Sequence, residues 1–182
     1  MIDFVETFDA ALLEAATRLL QTCAGRSVRL AVAESCTGGL IAGCLTAVPG
    51  CSSVVERGFV TYSNEAKTDM LGVAPEVILT HGAVSGPVAE AMAAGAVTHS
   101  RADLAASATG VAGPGGGGTE KPVGTVWIGV CRRGGTPQAR RFFFTGPRAT
   151  IRLQSVAAAL EMLQQEAEAA EPSSIAADER RA

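Results

Sequence analysis

Residues 28–45 read VRLAVAESCTGGLIAGCL, and this stretch predicts the centre of the fold. It opens with a short apolar run at residues 30–33, which predicts a buried strand because the run is brief, uninterrupted by turn residues and contains β-branched valine. Polar residues follow, and two glycines then lead into a second apolar stretch, residues 40–48, that has the length of a helix. The stretch therefore predicts a strand, a tight polar turn and a helix in succession.

This turn places Ser35 and Cys36 just after the strand and just before the helix. Such a geometry directs backbone N–H groups and the positive end of a helix dipole toward whatever lies over the turn, so a nucleophile or an anion would be well placed there. An ordinary connection between strand and helix, with small residues for close packing, explains the same pattern equally well. The turn is not the nucleophile elbow of α/β-hydrolases, since no glycine lies two residues before Ser35.

The composition is typical of one folded domain. The chain has 182 residues, 47% of them hydrophobic, and a formal charge of −3, which provides the length and apolar content of a full core. We expect this domain to occupy residues 1–165 and a flexible tail, mainly Glu, Ala and Ser, to occupy residues 166–182. No basic stripe or nucleic-acid-binding motif is present, so we expect no nucleic-acid partner.

The N-terminal residues carry acids and lack the basic segment of a signal peptide, and no window of about eighteen apolar residues is present to span a bilayer. We therefore expect a cytoplasmic protein without a membrane partner. The cysteines form no CxxC pair and neither histidine has a metal-ligand spacing, so we expect reduced thiols and no zinc or other metal. The cysteines are Cys23, Cys36, Cys44, Cys51 and Cys131.

The order of the predicted elements indicates the fold class. They are a helix at 3–24 ended by Gly25, the strand at 30–33, the helix at 40–48, a strand at 58–62, short helices through Lys67 and from Pro75, a helix at 88–98, strands at 103–108, 123–130 and 140–144, and a last helix after Pro147. Helices alternate with the first strands, and the last two strands form a hairpin. This pattern predicts an α/β fold, a three-layer α/β/α sandwich on a mixed, partly parallel sheet with a C-terminal hairpin and a last helix.

Four polar clusters lie where predicted strands end, at residues 34–37, 62–67, 107–110 and 145–148. Because sites in open α/β sheets form at the carboxyl ends of strands, the first three clusters can converge on one crevice. The fourth joins them if the last strand, which is antiparallel, ends on the same side.

A serine nucleophile at Ser35 needs a base, and Lys67 is the better candidate. His81 lies in a connecting segment and His99 late on a helix, where surface or capping roles are commoner. For Lys67 to act as a base at neutral pH, its pKa must fall from about 10.4 to about 7–8, a differential stabilisation of roughly 4 kcal/mol that desolvation in a crevice can supply. The alternative is a solvated helix lysine without a catalytic role.

Cys36 competes with Ser35 as the nucleophile, because a thiolate is favoured near a helix N-terminus. Neighbouring side chains in an extended turn point apart, so we expect one of the two to face the crevice and the other to pack. The sequence leaves open which of them faces it.

Arg148 and Arg152 begin the last helix, where the helix dipole disfavours cations, and their spacing of four residues puts them on one face. An anion at that position, such as a phosphate, would explain both. Two exposed arginines tolerated at a small energetic cost are an equally valid interpretation. The glycine-rich run at residues 113–118 can likewise cradle a phosphate or act as a flexible lid.

Five motifs taken together resemble one known family. They are AESCTGGLIA at residues 33–42, ERGFVTYSNEAK at 56–67, HGAVSGPVAEAM at 81–92, ATGVAGPGG at 108–116 with EKPVGTVW at 120–127, and FTGPR at 144–148. In this order they resemble the C-terminal domain of the competence/damage-inducible protein CinA, over roughly residues 5–165. The commoner family pattern has an acidic residue where Gly115 stands. The resemblance does not extend to the companion nucleotide-binding domain of full-length CinA, so we expect the stand-alone form, which resembles nicotinamide-nucleotide amidase.

This resemblance implies hydrolysis of the carboxamide of nicotinamide mononucleotide to nicotinate mononucleotide and ammonia. It implies Ser35 as nucleophile, Lys67 as its base and Tyr62 in the catalytic site, with no metal or organic cofactor. We expect substrate-binding contacts from eight further residues, namely Glu34, Thr37, Gly38, Gly39, Thr109, Gly110, Arg148 and Arg152. The backbone N–H groups around Gly38 and Gly39, or those of the Gly110 loop, would hold the oxyanion.

A nucleotide- or partner-binding module of competence or DNA-damage physiology is the alternative hypothesis. It would use the same crevice without turnover, and the presence of both Ser35 and Lys67 favours the enzyme because a binding module needs no such pair. By the same resemblance we expect a homodimer.

Overall fold

The computed structural model describes residues 8–169, which form six α-helices and five β-strands. In chain order the elements are α1 (Ala10–Gly25), β1 (Leu30–Glu34), α2 (Leu40–Thr46), β2 (Val55–Val60), α3 (Asn64–Leu71), α4 (Pro75–His81), α5 (Gly86–Thr98), β3 (Leu104–Gly110), β4 (Thr125–Arg132), β5 (Gln138–Phe143) and α6 (Arg148–Ala169). A short 3₁₀ turn at Cys51–Ser53 precedes β2. The ends of β3, β4 and β5 fall within two residues of their predicted positions.

The five strands form one sheet in the order β2-β1-β3-β4-β5. β1 pairs in parallel with both β2 and β3, whereas β4 runs antiparallel to β3 and forms a hairpin with β5. The sheet is thus mixed and partly parallel, with the C-terminal hairpin at one edge, as predicted. Because β1 lies between two parallel neighbours, three carboxyl ends meet around the residue that follows it, Ser35.

Helices cover both faces of the sheet, which confirms the predicted three-layer sandwich. Leu30 and Val32 of β1 point to a core shared with α1, α2 and α6, while Ala31 and Ala33 point to a second core beneath α3, α4 and α5. This alternation follows from the period of two in a strand. Both faces of β1 are buried, which is why its sequence is an unbroken apolar run up to its last residue.

The helix that carries Lys67 packs closely on α5. Gly95 of α5 lies against the Leu71 carbonyl at the end of α3, and a Cβ atom at position 95 would overlap that carbonyl. Glycine is therefore required there for the two helices to approach each other. This close contact fixes the position of α3, and with it the position of the lysine.

The first helix begins later than predicted. Asp9 is its N-cap, with the carboxylate accepting a hydrogen bond from the Leu12 N–H at 2.9 Å, and Phe8 precedes the cap. Phe8 and Asp9 are therefore not helical, contrary to the predicted start at residue 3. The backbone of a capping aspartate is non-helical, so the helix begins at the residue that follows it. The rest of the predicted first turn, residues 3–7, lies outside the described residues.

β2 is shifted from its predicted position at residues 58–62. Its pairing with β1 starts with Leu30 opposite Val55 and ends with Glu34 opposite Val60. The Thr61 N–H then donates to the Glu34 carbonyl at 2.8 Å, after which the chain leaves the sheet. The residues just after β2 therefore form a loop that leads into α3.

The last helix, α6, runs to Ala169 and so passes the predicted end of the domain at residue 165. Glu166 forms an ion pair with Arg132 of β4 at 3.2 Å, and Ala167 is buried in the core. The predicted tail is therefore wrong for residues 166–169, because contacts with the sheet hold the helix there, and its remainder lies outside the described residues. Of the helices within residues 8–169, none is both long and apolar enough to cross a membrane.

Candidate active site

The polar clusters predicted at the strand ends meet in one small cavity beyond the carboxyl ends of β1 and β3. The cavity encloses about 220 Å³. Its lining residues are Ser35, Cys36, Tyr62, Asn64, Lys67, Ala83, Val84, Thr109, Gly110, Ala112 and Arg148. All four clusters contribute to it, and the fourth does so through Arg148 at the start of α6.

Ser35 and Lys67 contact each other inside this cavity. The Lys67 Nζ lies 3.2 Å from the Ser35 Oγ, within hydrogen-bonding distance. Ser35 is the first residue after β1, and its N–H donates to the Ala108 carbonyl of β3 at 2.9 Å. Lys67 ends the first turn of α3, whose start is fixed by the Ser63 hydroxyl accepting from the Ala66 N–H. The two side chains therefore converge from separately anchored segments of backbone.

The amine of Lys67 is buried, with about 1% of the residue exposed. Besides the Ser35 hydroxyl, Nζ contacts the backbone carbonyl oxygens of residues 61–63 at 3.0–3.4 Å. Burial lowers the pKa of Lys67 below its ordinary value, and the opposing effects of Cys36 and Glu65 are smaller. The alternative of a solvated helix lysine is therefore wrong, and the amine has the environment of a base.

The Cys36 thiol lies next to Ser35 but is not activated. Burial raises the pKa of Cys36 to about 11, so the thiol stays protonated at neutral pH. The side chain packs in the core shared by α1, α2 and α6, whereas the Ser35 hydroxyl contacts the amine of Lys67. Both residues line the cavity, so the prediction that only one of them faces it is wrong, but of the two it is the Ser35 hydroxyl that is hydrogen-bonded to the amine.

Glu34 has a structural role that differs from the predicted substrate contact. Its carboxylate is buried and accepts hydrogen bonds from the backbone N–H groups of Gly39, Ile41 and Ala42 at 3.0, 3.0 and 2.8 Å. These are N–H groups at the start of α2 that have no partner within the helix, and the helix dipole also favours a negative charge there. The anion site that the strand–turn–helix unit predicts is thus filled by the protein's own carboxylate.

Thr37, Gly38 and Gly39, three further predicted substrate contacts, do not line the cavity. The Gly38 N–H donates to the Ser35 carbonyl at 3.1 Å, and the Gly39 N–H is bonded to Glu34. The two glycines have φ angles of 59° and 94°, a conformation that glycine adopts most easily, so they shape the turn. The predicted use of their N–H groups for an oxyanion is therefore wrong, because each already has an acceptor.

The two arginines of α6 make different contacts. Arg152 does not line the cavity, and its Nη2 donates to the Thr37 carbonyl at 2.6 Å. Arg148 lies at the cavity mouth, where Nη2 donates to the Tyr62 hydroxyl at 3.1 Å and Nη1 to the Gly113 carbonyl at 2.7 Å. Tyr62 is 62% exposed, so this mouth is open to solvent. Of the two arginines predicted to meet an anion, Arg148 is the one placed to do so.

Thr109 and Gly110 form the wall of the cavity on the β3 side. Thr109 is buried, and its hydroxyl donates to the Ala83 carbonyl at 2.8 Å, which ties β3 to the loop before α5. A Cβ atom at position 110 would lie 2.7 Å from the Val126 side chain and 2.8 Å from the Thr125 carbonyl, so glycine allows β3 to pair with β4 there. Both residues line the cavity, where a substrate contact of the kind predicted for them would be made.

Four of the lining residues were given no role from the sequence, namely Asn64, Ala83, Val84 and Ala112. The last three have small apolar side chains, which form a wall that suits a flat apolar group. Asn64 begins α3 directly after the Ser63 cap. It belongs to the polar cluster predicted at residues 62–67, but its position in the cavity depends on how α3 packs against α5, which no local pattern signals.

Larger grooves lie elsewhere on the surface, two of them with volumes near 600 Å³. One, of about 600 Å³, lies between α1 and α6, and the other, of about 610 Å³, lies between α3 and α4. Neither is lined by a serine, cysteine, histidine or lysine among the described residues, and neither His81 nor His99 lines the smaller cavity. Within residues 8–169, no three His, Cys, Asp or Glu side chains come together as a metal site requires. Neither of these two grooves therefore has the serine and lysine that line the smaller cavity.

The sequence was compared with models of known protein families. The model of the family described as the CinA C-terminal domain matches residues 12–167. The chain belongs to the CinA C-terminal domain family. The predicted resemblance is thus confirmed, and the matched CinA region includes every residue that lines the cavity.

Similar CinA-family proteins include chains of different length. A protein of Escherichia coli (strain K12) named nicotinamide-nucleotide amidohydrolase PncC is 47% identical over 158 residues, which cover 87% of this chain and 96% of the relative. A CinA-like protein of Mycolicibacterium gilvum is 52% identical over 140 residues, which cover 77% of this chain and 33% of the relative. The chain thus matches nearly all of one relative and one part of the other.

Two solved structures of CinA-related proteins have the same fold. The competence/damage inducible protein CihA from Agrobacterium tumefaciens aligns with a TM-score of 0.84 and 48% identity over 86% of this chain and 95% of that one. The competence damage-inducible protein A (ComA) from Klebsiella pneumoniae aligns with a TM-score of 0.84 and 34% identity over 88% of this chain and 99% of that one. Both alignments support the three-layer α/β fold.

We predict that Glu34→Gln lowers the free energy of unfolding by about 2–3 kcal/mol, because the substitution replaces a charged oxygen with an amide NH₂ group that faces the N–H donors of α2 in a buried site. Urea unfolding measures the change. The matched control is Glu76→Gln, an exposed acid in the first turn of α4, for which we expect a change below about 0.5 kcal/mol. Equally small changes in both variants would contradict the capping role of Glu34.

Proposed function

We propose that this chain hydrolyses the carboxamide of nicotinamide mononucleotide, giving nicotinate mononucleotide and ammonia. The contact of 3.2 Å between Ser35 Oγ and Lys67 Nζ carries the proposal, because it pairs a hydroxyl with a buried amine whose pKa is lowered. The relative from Escherichia coli, 47% identical over nearly its whole length, supports the choice of substrate through its name. The reaction needs neither a metal nor an organic cofactor.

In the first step, the neutral Lys67 amine accepts the proton of the Ser35 hydroxyl as the serine oxygen attacks the carboxamide carbon. An amide is a poor electrophile, so this step needs an activated nucleophile and donors for the oxygen that becomes negative. The two N–H groups of the neutral amine are donated to carbonyl oxygens of residues 61–63, which lie 3.0–3.4 Å from Nζ, and this leaves the nitrogen lone pair for the serine proton. Lysine thereby takes the part that histidine has in the commoner serine triad.

The backbone N–H group of Cys36, which lines the cavity, is our candidate for an oxyanion donor. Among the described residues, it donates no hydrogen bond to another residue, whereas the N–H groups of Ser35 and Gly38 are already bonded. The N–H of the residue after the nucleophile is also the donor that α/β-hydrolases use. This assignment replaces the predicted one at the two glycines.

The protonated Lys67 then gives its proton to the departing nitrogen, so that ammonia leaves and the nicotinoyl group remains on Ser35 as an ester. A water molecule attacks this ester with Lys67 again as the base, and the product leaves as the serine hydroxyl is restored. In total, one carboxamide and one water become one carboxylic acid and one ammonia, which exchange a proton in solution.

The size of the cavity indicates how a nucleotide is bound. At about 220 Å³ it is smaller than the roughly 300–1,000 Å³ of pockets for drug-sized ligands. It therefore takes the carboxamide and the pyridine ring, and leaves the ribose and phosphate at the mouth. Arg148 lies at that mouth and is exposed, and a guanidinium suits phosphate oxygens. We assign the substrate phosphate to Arg148.

We expect the purified protein to release ammonia from nicotinamide mononucleotide and Ser35→Ala to lower kcat by at least about 10³-fold, because the covalent route is lost. A coupled ammonia assay measures both. Cys36→Ser is the matched control at the neighbouring position, and we expect it to keep most of the activity.

Activity lost in Cys36→Ser but retained in Ser35→Ala would assign the nucleophile to the cysteine. No ammonia from the wild-type protein above the Ser35→Ala background would instead leave a nucleotide- or partner-binding module as the function.

We also predict that Arg148→Ala raises KM for nicotinamide mononucleotide by roughly 10–100-fold, the effect of removing one charged hydrogen-bonding partner. KM for nicotinamide riboside, which lacks the phosphate, is expected to change much less. Steady-state kinetics on both substrates test this, with Arg140→Ala on β5 as the control because Arg140 is exposed and does not line the cavity. Equal losses on the two substrates would refute the assignment of the phosphate.

A further inference from the structure

We propose that Arg152 is a positioning residue that fixes residues 34–39, here called the nucleophile turn. The inference rests on the proposed function, since it gives Arg152 an effect on the reactivity of Ser35. The sequence predicts a substrate contact for Arg152, paired with Arg148 on one face of α6. In the structure, however, Arg148 lines the cavity and Arg152 contacts the backbone of the nucleophile turn.

The guanidinium of Arg152 lies directly against the backbone of the nucleophile turn. Its Nη2 donates a hydrogen bond of 2.6 Å to the Thr37 carbonyl, a short bond from a charged donor. A Cβ atom at position 38 would lie 3.3 Å from the same nitrogen, so Gly38 leaves room for the guanidinium. By this contact α6 holds a turn that lies 115 residues earlier in the chain.

The peptide group between Thr37 and Gly38 is held at both ends. Its carbonyl oxygen accepts from Arg152, and its N–H donates to the Ser35 carbonyl at 3.1 Å. Because a peptide group is planar, fixing these two atoms fixes the orientation of the whole unit. Arg152 is therefore connected to the backbone of Ser35 through a single peptide plane.

The orientation of this backbone matters because the Ser35 hydroxyl must keep its contact of 3.2 Å with Lys67. Glu34 holds the end of the nucleophile turn that leads into α2, through the N–H groups of that helix. Arg152 holds the middle of the turn through a carbonyl. Without the guanidinium, the central peptide group can rotate, and the contact between hydroxyl and amine loosens.

The surroundings of Arg152 do not include the substrate cavity. Arg152 is not among the lining residues, and its Nε is buried without a hydrogen-bond partner in the part of the chain that the structure describes. Arg148, four residues earlier on α6, lies at the cavity mouth. A phosphate bound by Arg148 therefore leaves Arg152 in place against the turn.

The test compares Arg152→Ala, Arg152→Lys and Arg148→Ala with the wild-type protein on nicotinamide mononucleotide and nicotinamide riboside. We expect Arg152→Ala to lower kcat about 10–100-fold on both substrates with little change in KM, the loss that a small misplacement of a reacting group causes. Arg152→Lys keeps the charge and one donor, so we expect it to recover part of kcat. Arg148→Ala is expected to change KM, and only for the phosphorylated substrate.

A second readout needs no substrate. It is the rate at which phenylmethylsulfonyl fluoride modifies Ser35, followed by mass spectrometry, with thermal melting recorded for each variant. We expect this rate to fall about 10–100-fold in Arg152→Ala and to stay unchanged in Arg140→Ala, an exposed residue outside the cavity, because the first variant alone misplaces the hydroxyl. If the wild-type protein hydrolyses neither substrate, the proposed function fails, while the labelling rates still decide the role of Arg152.

A rise in KM confined to nicotinamide mononucleotide in the Arg152 variants would overturn the inference and assign Arg152 to the phosphate. Unchanged kcat together with unchanged labelling would overturn it as well. If Arg152→Ala does not fold, Arg152→Lys decides by the same measurements, since a loss of kcat at constant KM supports positioning. A wild-type Ser35 that resists the reagent, in a protein that hydrolyses neither substrate, would contradict both proposals.

Discussion

The proposed chemistry depends on a lysine amine that is buried without a carboxylate partner. Lys67 has about 1% of its surface exposed, and none of the ion pairs among the described residues includes it. A buried, unpaired charge costs several kcal/mol, so burial favours the neutral amine, which is the form that can accept a proton from Ser35. A carboxylate beside the amine would stabilise its protonated form and remove the base.

The fold keeps the neighbouring buried acid away from this base. Glu34 precedes the nucleophile directly, and both of its carboxylate oxygens accept from N–H groups at the start of α2, so its charge is satisfied without a cation. Arg152 binds the same turn from α6, while Lys67 arrives on α3 from the opposite face of the sheet. Adjacent residues of one motif thus have different functions, since Glu34 shapes the turn and Ser35 supplies the hydroxyl.

Local pattern was enough to predict the sheet, its helices and the two polar clusters that contain Ser35 and Lys67, because strand period and helix length are properties of short segments. It could not separate Arg148 from Arg152, since a spacing of four residues puts both on one face and does not show what each contacts. Glu34 was misassigned because an acid before a helix can bind a ligand or the helix itself. The end of α6 was placed too early for a similar reason, as contacts with the sheet hold its final turn.

The charge state of the Lys67 amine is the most direct test of the account, and the chain has only two lysines, Lys67 and Lys121. In protein labelled with carbon-13 lysine, the Cε resonance of Lys67 is followed by NMR across the neutral and alkaline pH range, with Lys121→Arg used to assign it. We predict a titration midpoint well below 10.5, the ordinary value, because burial disfavours the charged form. A midpoint at or above 10.5 would contradict a neutral base next to Ser35, and with it the proposed reaction.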